Sequence, residues 1–277
     1  MKKFFLYFFF LIVTTNLSVY SQEKNKKTKH PVLTSRFQLG VGMFIPNQKV
    51  KFSIDGASNN NIIEFDETFD FNNSSVRPQI SFDWRFSKKW NLAAEYFKTG
   101  YSLEEVLKKD IKAGNYTFES GSNVKIGYNI NLYRIFIGRV ISTGLKHELA
   151  GGLGFHIMNI GPFIKGNIIV NGNENKFKTV STSFTAPLPN IALWYFYAPT
   201  NRWAFIARFD WFGIKIDEFS GSLWDFGPKI QYQIVKNFGV AIDYRFFKIS
   251  AKVKKHYWNG NVDLSFNGPT LSFIGNL

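Results

Sequence analysis

The residues of this chain that offer chemistry are charged side chains in the middle of segments where apolar residues alternate with polar ones. In three places an acid and an arginine stand two residues apart, as Asp83 and Arg85 do. Side chains at i and i+2 of a strand point to the same face. Because unpaired charges are too costly to bury in hydrocarbon or in a dry core, we predict an ion-paired layer across an enclosed interior. The predicted layer comprises Asp83, Arg85, Glu95, Arg208, Asp210, Lys229, Asp243 and Arg245.

The histidines favour neither a metal site nor a catalytic pair. They are predicted to lie in a basic tail (His30), on the lipid-facing side near a short turn (His147), in the interior (His156) and in the last loop (His256). Glu148 shares a strand face with His156 but stands eight residues away, about 26 Å at the rise of a strand. We therefore predict no catalytic residue in the strands, no metal and no cofactor.

These charges must be positioned by strands, because apolar and aromatic residues recur at every second position. The segment 203–211 reads Trp-x-Phe-x-Ala-x-Phe-x-Trp, and 238–246 reads Phe-x-Val-x-Ile-x-Tyr-x-Phe. Successive side chains of a strand point to opposite faces, so each strand has one apolar and one polar face. Two folds fit this pattern: a soluble sandwich with its apolar face inward, or a membrane barrel with its apolar face outward.

The connections favour the barrel because short and long ones alternate. Short turns lie near 87–89, 142–145, 199–202 and 235–237, and long polar connections lie near 47–75, 102–116, 166–187, 216–221 and 251–261. This is the layout of outer-membrane barrels with short periplasmic turns and long outer loops. We predict an all-β, antiparallel, up-and-down transmembrane β-barrel of about ten strands, with eight to twelve possible. The predicted strands are 34–46, 76–86, 89–101, 117–141, 146–165, 188–198, 203–215, 222–234, 238–250 and 262–277.

Aromatic residues at both ends of the apolar face support the membrane interpretation. The chain is 18% aromatic, and amphipathic rings prefer the depth of lipid head groups. One level lies beside the short turns and the other near the opposite strand ends. The predicted girdle comprises Trp90, Tyr197, Trp203, Trp211, Trp224, Phe238 and Phe246.

The N-terminus predicts export. Lys2 and Lys3 precede the apolar run 4–13, and Val19 and Ser21 stand where a signal peptidase reads small residues. This pattern is typical of a cleaved signal peptide over 1–21, followed by a basic periplasmic tail over 22–33 and the barrel over 34–277. The chain has no cysteine, so the exported fold is closed without disulfides.

The basic balance predicts anionic partners. The formal net charge is +14, which suits lipid head groups or lipopolysaccharide phosphates, whereas nucleic acid is an unsuitable partner for an exported chain. The last outer loop combines lysines with an aromatic residue and is a candidate lipopolysaccharide contact, although a solvated loop explains the same run equally well. The candidate residues are Lys252, Lys254, Lys255 and Trp258.

Several short motifs resemble those of a known group. They are Pro187-Leu-Pro-Asn190, Asp210-Trp211, Ser220-Gly-Ser-Leu223, Tyr244-Arg-Phe246 and Gly268-Pro-x-Leu271. With the signal peptide, they resemble a poorly characterised family of Gram-negative outer-membrane β-barrel proteins, loosely similar to the OmpA and OmpW barrel types. The resemblance implies a barrel in the cell outer membrane, inserted by the barrel-assembly machinery, and implies no reaction. Such barrels usually end in an aromatic residue, whereas this chain ends in Leu277.

The functional expectation is an integral outer-membrane barrel with a structural or binding role and a narrow, charge-filled lumen. A narrow pore or carrier for small solutes is the alternative, and the small-molecule ligand is unknown. A third possibility is a hydrolase at the outer rim, where Asp217, Glu218 and His256 approach one another across adjacent loops. A solvated rim explains the same three residues, because no nucleophile and base stand at a suitable spacing.

Overall fold

The computed structural model describes residues 29–56, 75–108, 110–113, 116–170, 173–181, 183–216, 218–255 and 258–277. Strands satisfy their backbone N–H and C=O groups by pairing edge to edge, and here they pair into a closed antiparallel barrel of ten strands. Closure occurs where the first strand pairs with the last, in a register that includes Val41 opposite Phe273. The predicted fold class and strand number are confirmed.

The wall of the barrel contains two strands that are interrupted and eight that are continuous. β1 (Phe37–Phe44) continues past Pro46 into β2 (Asn47–Gly56), and both pair with the last strand. β9 (Asn173–Ser181) likewise continues into β10 (Phe184–Tyr197), and both pair with β8. The continuous wall strands are β3 (Arg77–Arg85), β4 (Trp90–Val106), β7 (Asn123–Thr143), β8 (His147–Val170), β11 (Trp203–Ile216), β12 (Phe219–Val235), β13 (Phe238–Lys255) and β14 (Trp258–Asn276).

The short-turn end of the barrel is as predicted, whereas the opposite end is not. Both ends of the barrel chain lie at the short-turn end, where Phe37 and Leu277 exchange backbone hydrogen bonds. At the opposite end, called the loop end, much of the predicted loop is strand instead. β8 and β13 run on to residues 170 and 255, because continued pairing satisfies backbone groups that a loop leaves to water.

A separate hairpin lies at the loop end between β4 and β7. It consists of β5 (Ile111–Ala113) and β6 (Tyr116–Phe118), which pair only with each other. The predicted fourth strand therefore begins too early, because Tyr116–Phe118 belong to this hairpin and not to the wall. Among the described residues no helix has the length and apolar character needed to cross a membrane.

The outward face of the barrel is apolar, as the alternation predicts. Leu153, Phe205, Ile242 and Phe273 are among the outward side chains that stay exposed, at 43–63% of their surface. Large exposed apolar surfaces of this extent require a non-aqueous neighbour. The fold therefore presents its apolar face to lipid and its other face to the lumen.

The inward face is not polar throughout, which the sequence interpretation did not anticipate. Towards the loop end the lumen is filled by a continuous apolar core. Phe97 packs against Phe44 with ring centroids 5.4 Å apart and against Phe266 at 6.1 Å, and Phe247 stacks on Phe266 at 5.7 Å. Phe118 of the hairpin is fully buried in the same core. The hairpin thus closes the loop end of the lumen.

This core explains why the alternation of β7 is blurred in the sequence. Ile130 and Leu132 face the core and are fully buried, while Tyr133, Ile135 and Ile137 face outward and are exposed. Both faces of the strand therefore meet apolar surroundings. A strand buried against two apolar environments loses the contrast on which the period-two signal depends.

The short-turn end of the lumen is closed by the segment before β1. Pro31–Leu33 form a 3₁₀ turn, with the Val32 amide donating to His30 Nδ1 at 3.1 Å. Val32 is buried against Ala198 and Ala204 inside the barrel mouth. The sequence interpretation assigned these residues to the tail 22–33; in the structure they are a folded plug. Residues 22–28 of that tail, like the predicted signal peptide 1–21, lie outside the described residues.

The plug is expected to loosen in acid. Burial lowers the pKa of His30 from its ordinary value of 6.5, and the nearby Arg202 backbone opposes only part of that change. The plug is therefore fully stabilised above pH 6.5 and loses stability as the pH falls through the lower pKa of the folded state. Amide hydrogen exchange at Val32 and Thr34, corrected for intrinsic rates, should accelerate between about pH 7.5 and pH 5.

The matched control is His147, whose ring lies on the outward face beside Tyr195. His147→Gln should leave the pH dependence of exchange at the plug unchanged, whereas His30→Gln should abolish it. Unchanged pH dependence in the His30 variant would show that another group controls the plug.

Candidate functional site

The candidate site is a buried charge network at mid-height in the lumen. Its charged residues and histidine come from six strands whose registers bring inward-facing positions to one level: Asp210 stands opposite Asp225 between β11 and β12, and Glu95 stands opposite Arg134 between β4 and β7. Because strand parity sends every second side chain inward, these groups meet across the lumen although they are far apart in sequence.

The centre of the network is a ring of two acids and two arginines. Asp225 accepts hydrogen bonds from Arg208 Nη2 at 3.0 Å and from Arg245 through both Nε, at 3.1 Å, and Nη2. Glu95 accepts from Arg208 Nη1 at 2.9 Å and from Arg245 Nη1. Each arginine thus bridges both acids, and each acid receives both arginines. We call these four residues the charge ring.

The charge ring is largely removed from water. Asp225 is fully buried, Arg245 is 2% exposed and Glu95 is 8% exposed. The Arg245 guanidinium also lies over the rings of Phe97 and Phe247, at 4.9 and 5.2 Å from their centroids. Buried charges of this kind are tolerated only when paired and hydrogen-bonded, and the alternation of signs meets that condition. The aromatic contacts join the ring to the apolar core above it.

A second ion pair lies beside the ring. Arg134 Nη2 donates to Asp210 Oδ1 at 2.9 Å, and Arg134 Nε donates to Asp210 Oδ2. This is a two-point contact of the kind that fixes both orientation and distance. Both side chains are almost fully buried, so neither partner tolerates loss of the other.

His156 lies between the charge ring and the Arg134–Asp210 pair. Its Nε2 lies 3.3 Å from Asp225 Oδ2 and 3.7 Å from Asp210 Oδ2, and its Nδ1 lies 3.1 Å from Asn190 Oδ1. Since a carboxylate only accepts hydrogen bonds, the contact with Asp225 places a proton on Nε2. The imidazole thus lies between Asp225, Asp210 and Asn190 within the network.

His156, Asp210 and Asp225 also offer ligand atoms of the types that bind metals, all within 4.8 Å of one another. The same carboxylate oxygens already accept hydrogen bonds from Arg134, Arg208 and Arg245. A bound cation would face these three guanidinium groups at short range, which is strongly unfavourable at low dielectric. The arrangement therefore suits charge balance better than metal binding, and the absence of a metal stays a prediction.

A small polar cavity lies on the short-turn side of the ring. It has a volume of about 70 Å³, enough for several waters at roughly 10–15 Å³ each. Asp83 faces this cavity and is exposed to it. Lys229 Nζ and Asp243 Oδ2 are 3.9 Å apart on its wall, a long ion pair.

A further ion pair lies nearer the short turns. Arg85 donates to both Glu148 oxygens, at 2.8 and 3.1 Å, and Asn91 Nδ2 donates to Glu148 at 3.4 Å. Arg85 is thus separated from Asp83, with which the sequence had grouped it. Asp83 and Arg85, although only two residues apart on one strand face, therefore lie at different levels of the lumen.

All eight residues of the predicted charge layer face the lumen, but they do not form one layer. Glu95, Arg208 and Arg245 belong to the charge ring, and Asp210 belongs to the neighbouring pair. The others line the cavity or lie towards the short turns: Asp83, Arg85, Lys229 and Asp243.

The sequence interpretation left out of the predicted layer three residues of the network and the glutamate of the neighbouring ion pair. Asp225 had a usable signal, because it stands between the outward rings of Trp224 and Phe226 and so must face inward. Arg134 and Glu148 were obscured by apolar neighbours. His156 was placed in the lumen without a partner, because the acids that it meets lie on other strands.

The girdle, rim and loop predictions have different outcomes. All seven girdle residues are exposed on the outward face. Glu218 and Lys252 are exposed near the loop end. The remaining predicted rim and loop side chains lie outside the described part of the chain: Asp217, Lys254, Lys255, His256 and Trp258.

Removing one acid of the ring should be severely destabilising. Asp225→Ala leaves Arg208, Arg245 and His156 without their shared acceptor, and breaking a buried ion pair typically costs about 3–5 kcal/mol. The measurement is urea-induced unfolding of the refolded barrel in detergent micelles, followed by tryptophan fluorescence. Glu104, whose exposed carboxylate lies 3.1 Å from Lys125, gives the control: Glu104→Gln should cost less than about 1 kcal/mol. Equal effects in both variants would contradict a structural role for the ring.

Comparisons with known proteins identify the fold and no closer relationship. No protein-family model matches the chain, and a search of curated proteins finds no matching sequence. Among solved structures, the outer membrane protease OmpT from Escherichia coli aligns with a TM-score of 0.56 and 9% identity, covering 93% of this chain and 99% of that one.

The outer membrane protein OprG from Pseudomonas aeruginosa aligns with a TM-score of 0.33 and 12% identity, covering 90% of this chain and 97% of that one. The likeness to OmpT, at 9% identity, is one of fold and not of activity. At the level of fold, the predicted resemblance to outer-membrane β-barrels is confirmed.

Proposed function

We propose that the protein is an integral barrel of the bacterial outer membrane whose lumen is closed, and whose role is structural or binding and exerted at its outer surface. In this proposal the short-turn end faces the periplasm and the loop end faces outward. The exposed apolar belt supports the membrane location, since it needs lipid as its solvent. Export by a cleaved signal peptide and insertion by the barrel-assembly machinery belong to the same proposal.

The observation that carries the proposal is the filling of the lumen at three successive levels. Among the described residues, the apolar core around Phe97 and Phe266 occupies the loop end, the charge ring occupies the middle, and Val32 of the plug occupies the short-turn mouth. Ten strands leave little interior space beyond the side chains themselves. A solute would have to part all three levels, including buried ion pairs.

A narrow, gated carrier is the second candidate, and the polar cavity favours it. The cavity holds the exposed carboxylate of Asp83 beside Lys229 and Asp243, so a small polar solute from the short-turn side would find partners there. Passage beyond it requires Arg208 to release Glu95 and Asp225. The hydrolase at the outer rim is not proposed, since its supporting geometry would involve residues outside the described part of the chain.

Conductance in planar bilayers separates the two candidates. The closed-lumen proposal expects the purified full-length mature protein to give no large, steady current. It also expects Val32→Ala and Arg208→Ala to remain silent, since the apolar core still fills the loop end in each. A carrier or gated pore instead expects Arg208→Ala to raise conductance above that of the Val32→Ala control. Porin-sized currents from the unaltered protein would refute the closed lumen.

The membrane assignment has its own test. The protein should sediment with outer membranes, stay insoluble without detergent and change its gel mobility on boiling. A mature chain that remains soluble and monomeric without detergent would contradict the proposal at its first step.

A further inference from the structure

The outward face of β11, β12 and β13 contains a groove above the aromatic belt. In the strand registers Gly213, Ser222 and Ser250 lie side by side, and one step towards the loop end Lys215, Ser220 and Lys252 form the next row. These residues enclose an open groove of about 540 Å³. We call it the β11–β13 groove. Its floor lies low between the walls, because none of the central side chains is larger than serine.

The wall of the groove nearest the membrane centre is made of tryptophan. Trp211 and Trp224 stand opposite each other in the register, with ring centroids 6.4 Å apart. The Trp211 ring lies so close to Gly213 that a β-carbon there would be 3.1 Å from Cζ2. The row below consists of Phe209, Phe226 and Phe246. Since tryptophan prefers head-group depth, the groove begins where the hydrocarbon ends.

The far wall carries two positive charges. Lys215 and Lys252 flank Ser220 from the two neighbouring strands, so their backbones are about 10 Å apart. Both have flexible four-carbon stems, which lets two ammonium groups converge on one anion above Ser220. Neither lysine forms an ion pair with a described acid. Lys248 adds a third cation beside Trp224.

Lysines outnumber the acids around the groove, because Lys215, Lys248 and Lys252 stand against Glu218 and Asp263. Glu218 lies in the turn between β11 and β12, and Asp263 stands opposite Ser250 on β14. Asp263 is also opposite Lys51 of β2 in the register. The face therefore keeps an excess of positive charge around Ser220.

The barrel wall splits beside the groove. β10 and β11 pair only from Tyr197–Phe205 to Ile191–Trp211, and the residues of β11 beyond Trp211 form no pair with β10. Pro187 and Pro189 occupy the corresponding part of β10, where each lacks an N–H to donate. The edge of β11 therefore presents backbone donors next to the lysines, where an anionic oxygen is a suitable acceptor.

We propose that the β11–β13 groove binds the phosphate-bearing head group of an outer-leaflet glycolipid of the lipid A class. The phosphate lies over Ser220 between Lys215 and Lys252, the sugar occupies the serine-lined floor, and the acyl chains descend over the two tryptophans. A groove of about 540 Å³ exceeds what a lone phosphate ester fills, and its serine hydroxyls suit a sugar. The inference rests on the proposed membrane orientation and not on the closed lumen.

The test measures binding of bis-phosphorylated lipid A to the full-length mature protein in detergent, by native mass spectrometry. The double variant Lys215→Gln with Lys252→Gln should bind ~10- to 30-fold more weakly, as each lysine near an anionic head group contributes on the order of 1 kcal/mol. Ser222→Phe, which fills the floor without changing charge, should weaken binding as well. The matched control is Lys88→Gln with Lys236→Gln, two exposed lysines in short turns, which should bind as the unaltered protein does.

Two further arms decide between lipid sources. Dephosphorylated lipid A should bind no better to the unaltered protein than to the double variant. Phosphatidylglycerol should bind the unaltered protein more weakly than lipid A does, because it carries a single phosphate charge and has no sugar to occupy the serine-lined floor. Equal lipid A affinity in the double variant and the unaltered protein would overturn the proposal, as would phosphatidylglycerol matching lipid A. Each variant is first checked for folding by its heat-dependent gel mobility. Conductance through the lumen would leave these results unaffected, so failure of the closed-lumen proposal is distinguishable from failure of this one.

Discussion

Closure of the hydrogen-bonded wall is the constraint on which the rest of this structure depends. In hydrocarbon no water satisfies a strand edge, so β1 must pair with β14 as well as with β3. Closing ten strands leaves little interior space beyond the side chains. Inward side chains then contact one another, and a buried charge needs a partner within the barrel. The charge ring and the apolar core are two ways of meeting that requirement at different heights.

The charge ring and the apolar core contact and stabilise each other. Arg245 donates to both acids of the ring while its guanidinium face lies on Phe97 and Phe247. An arginine is suited to this boundary because its edge is polar and its face is weakly hydrated. The ion pairs need not add net stability over a well-packed apolar core. What they impose is register, because Asp225 and Glu95 reach both arginines only when β4, β11, β12 and β13 hold their observed alignment.

The sequence predicted the wall well and the contents of the lumen only in part. Period-two alternation is a local property, so strands and faces could be derived from segments such as 203–211. The partners across the lumen depend on the tilt and stagger of the whole barrel, which no segment contains. Arg208 could therefore be assigned a face but not its partner Glu95. The plug was missed for a related reason: Val32 and Leu33 form only a short apolar pair after a basic run, and only the finished mouth of the barrel gives them a place to pack.

The prolines connect the closed interior to the outer surface. A closed barrel with every edge paired has only its side chains with which to bind lipids or other partners. In this wall β10 stays paired with β8 at Pro187 and Pro189, whereas its pairing with β11 ends at Ile191 and Trp211. A proline in the ladder is tolerated where its nitrogen faces away from the paired strand, so two prolines two residues apart mark one side of β10 as unpaired. The break falls at tryptophan depth, where head groups and water can satisfy what the hydrocarbon cannot. The same positions that interrupt closure thereby create the edge beside the β11–β13 groove, and they do so without opening the filled lumen.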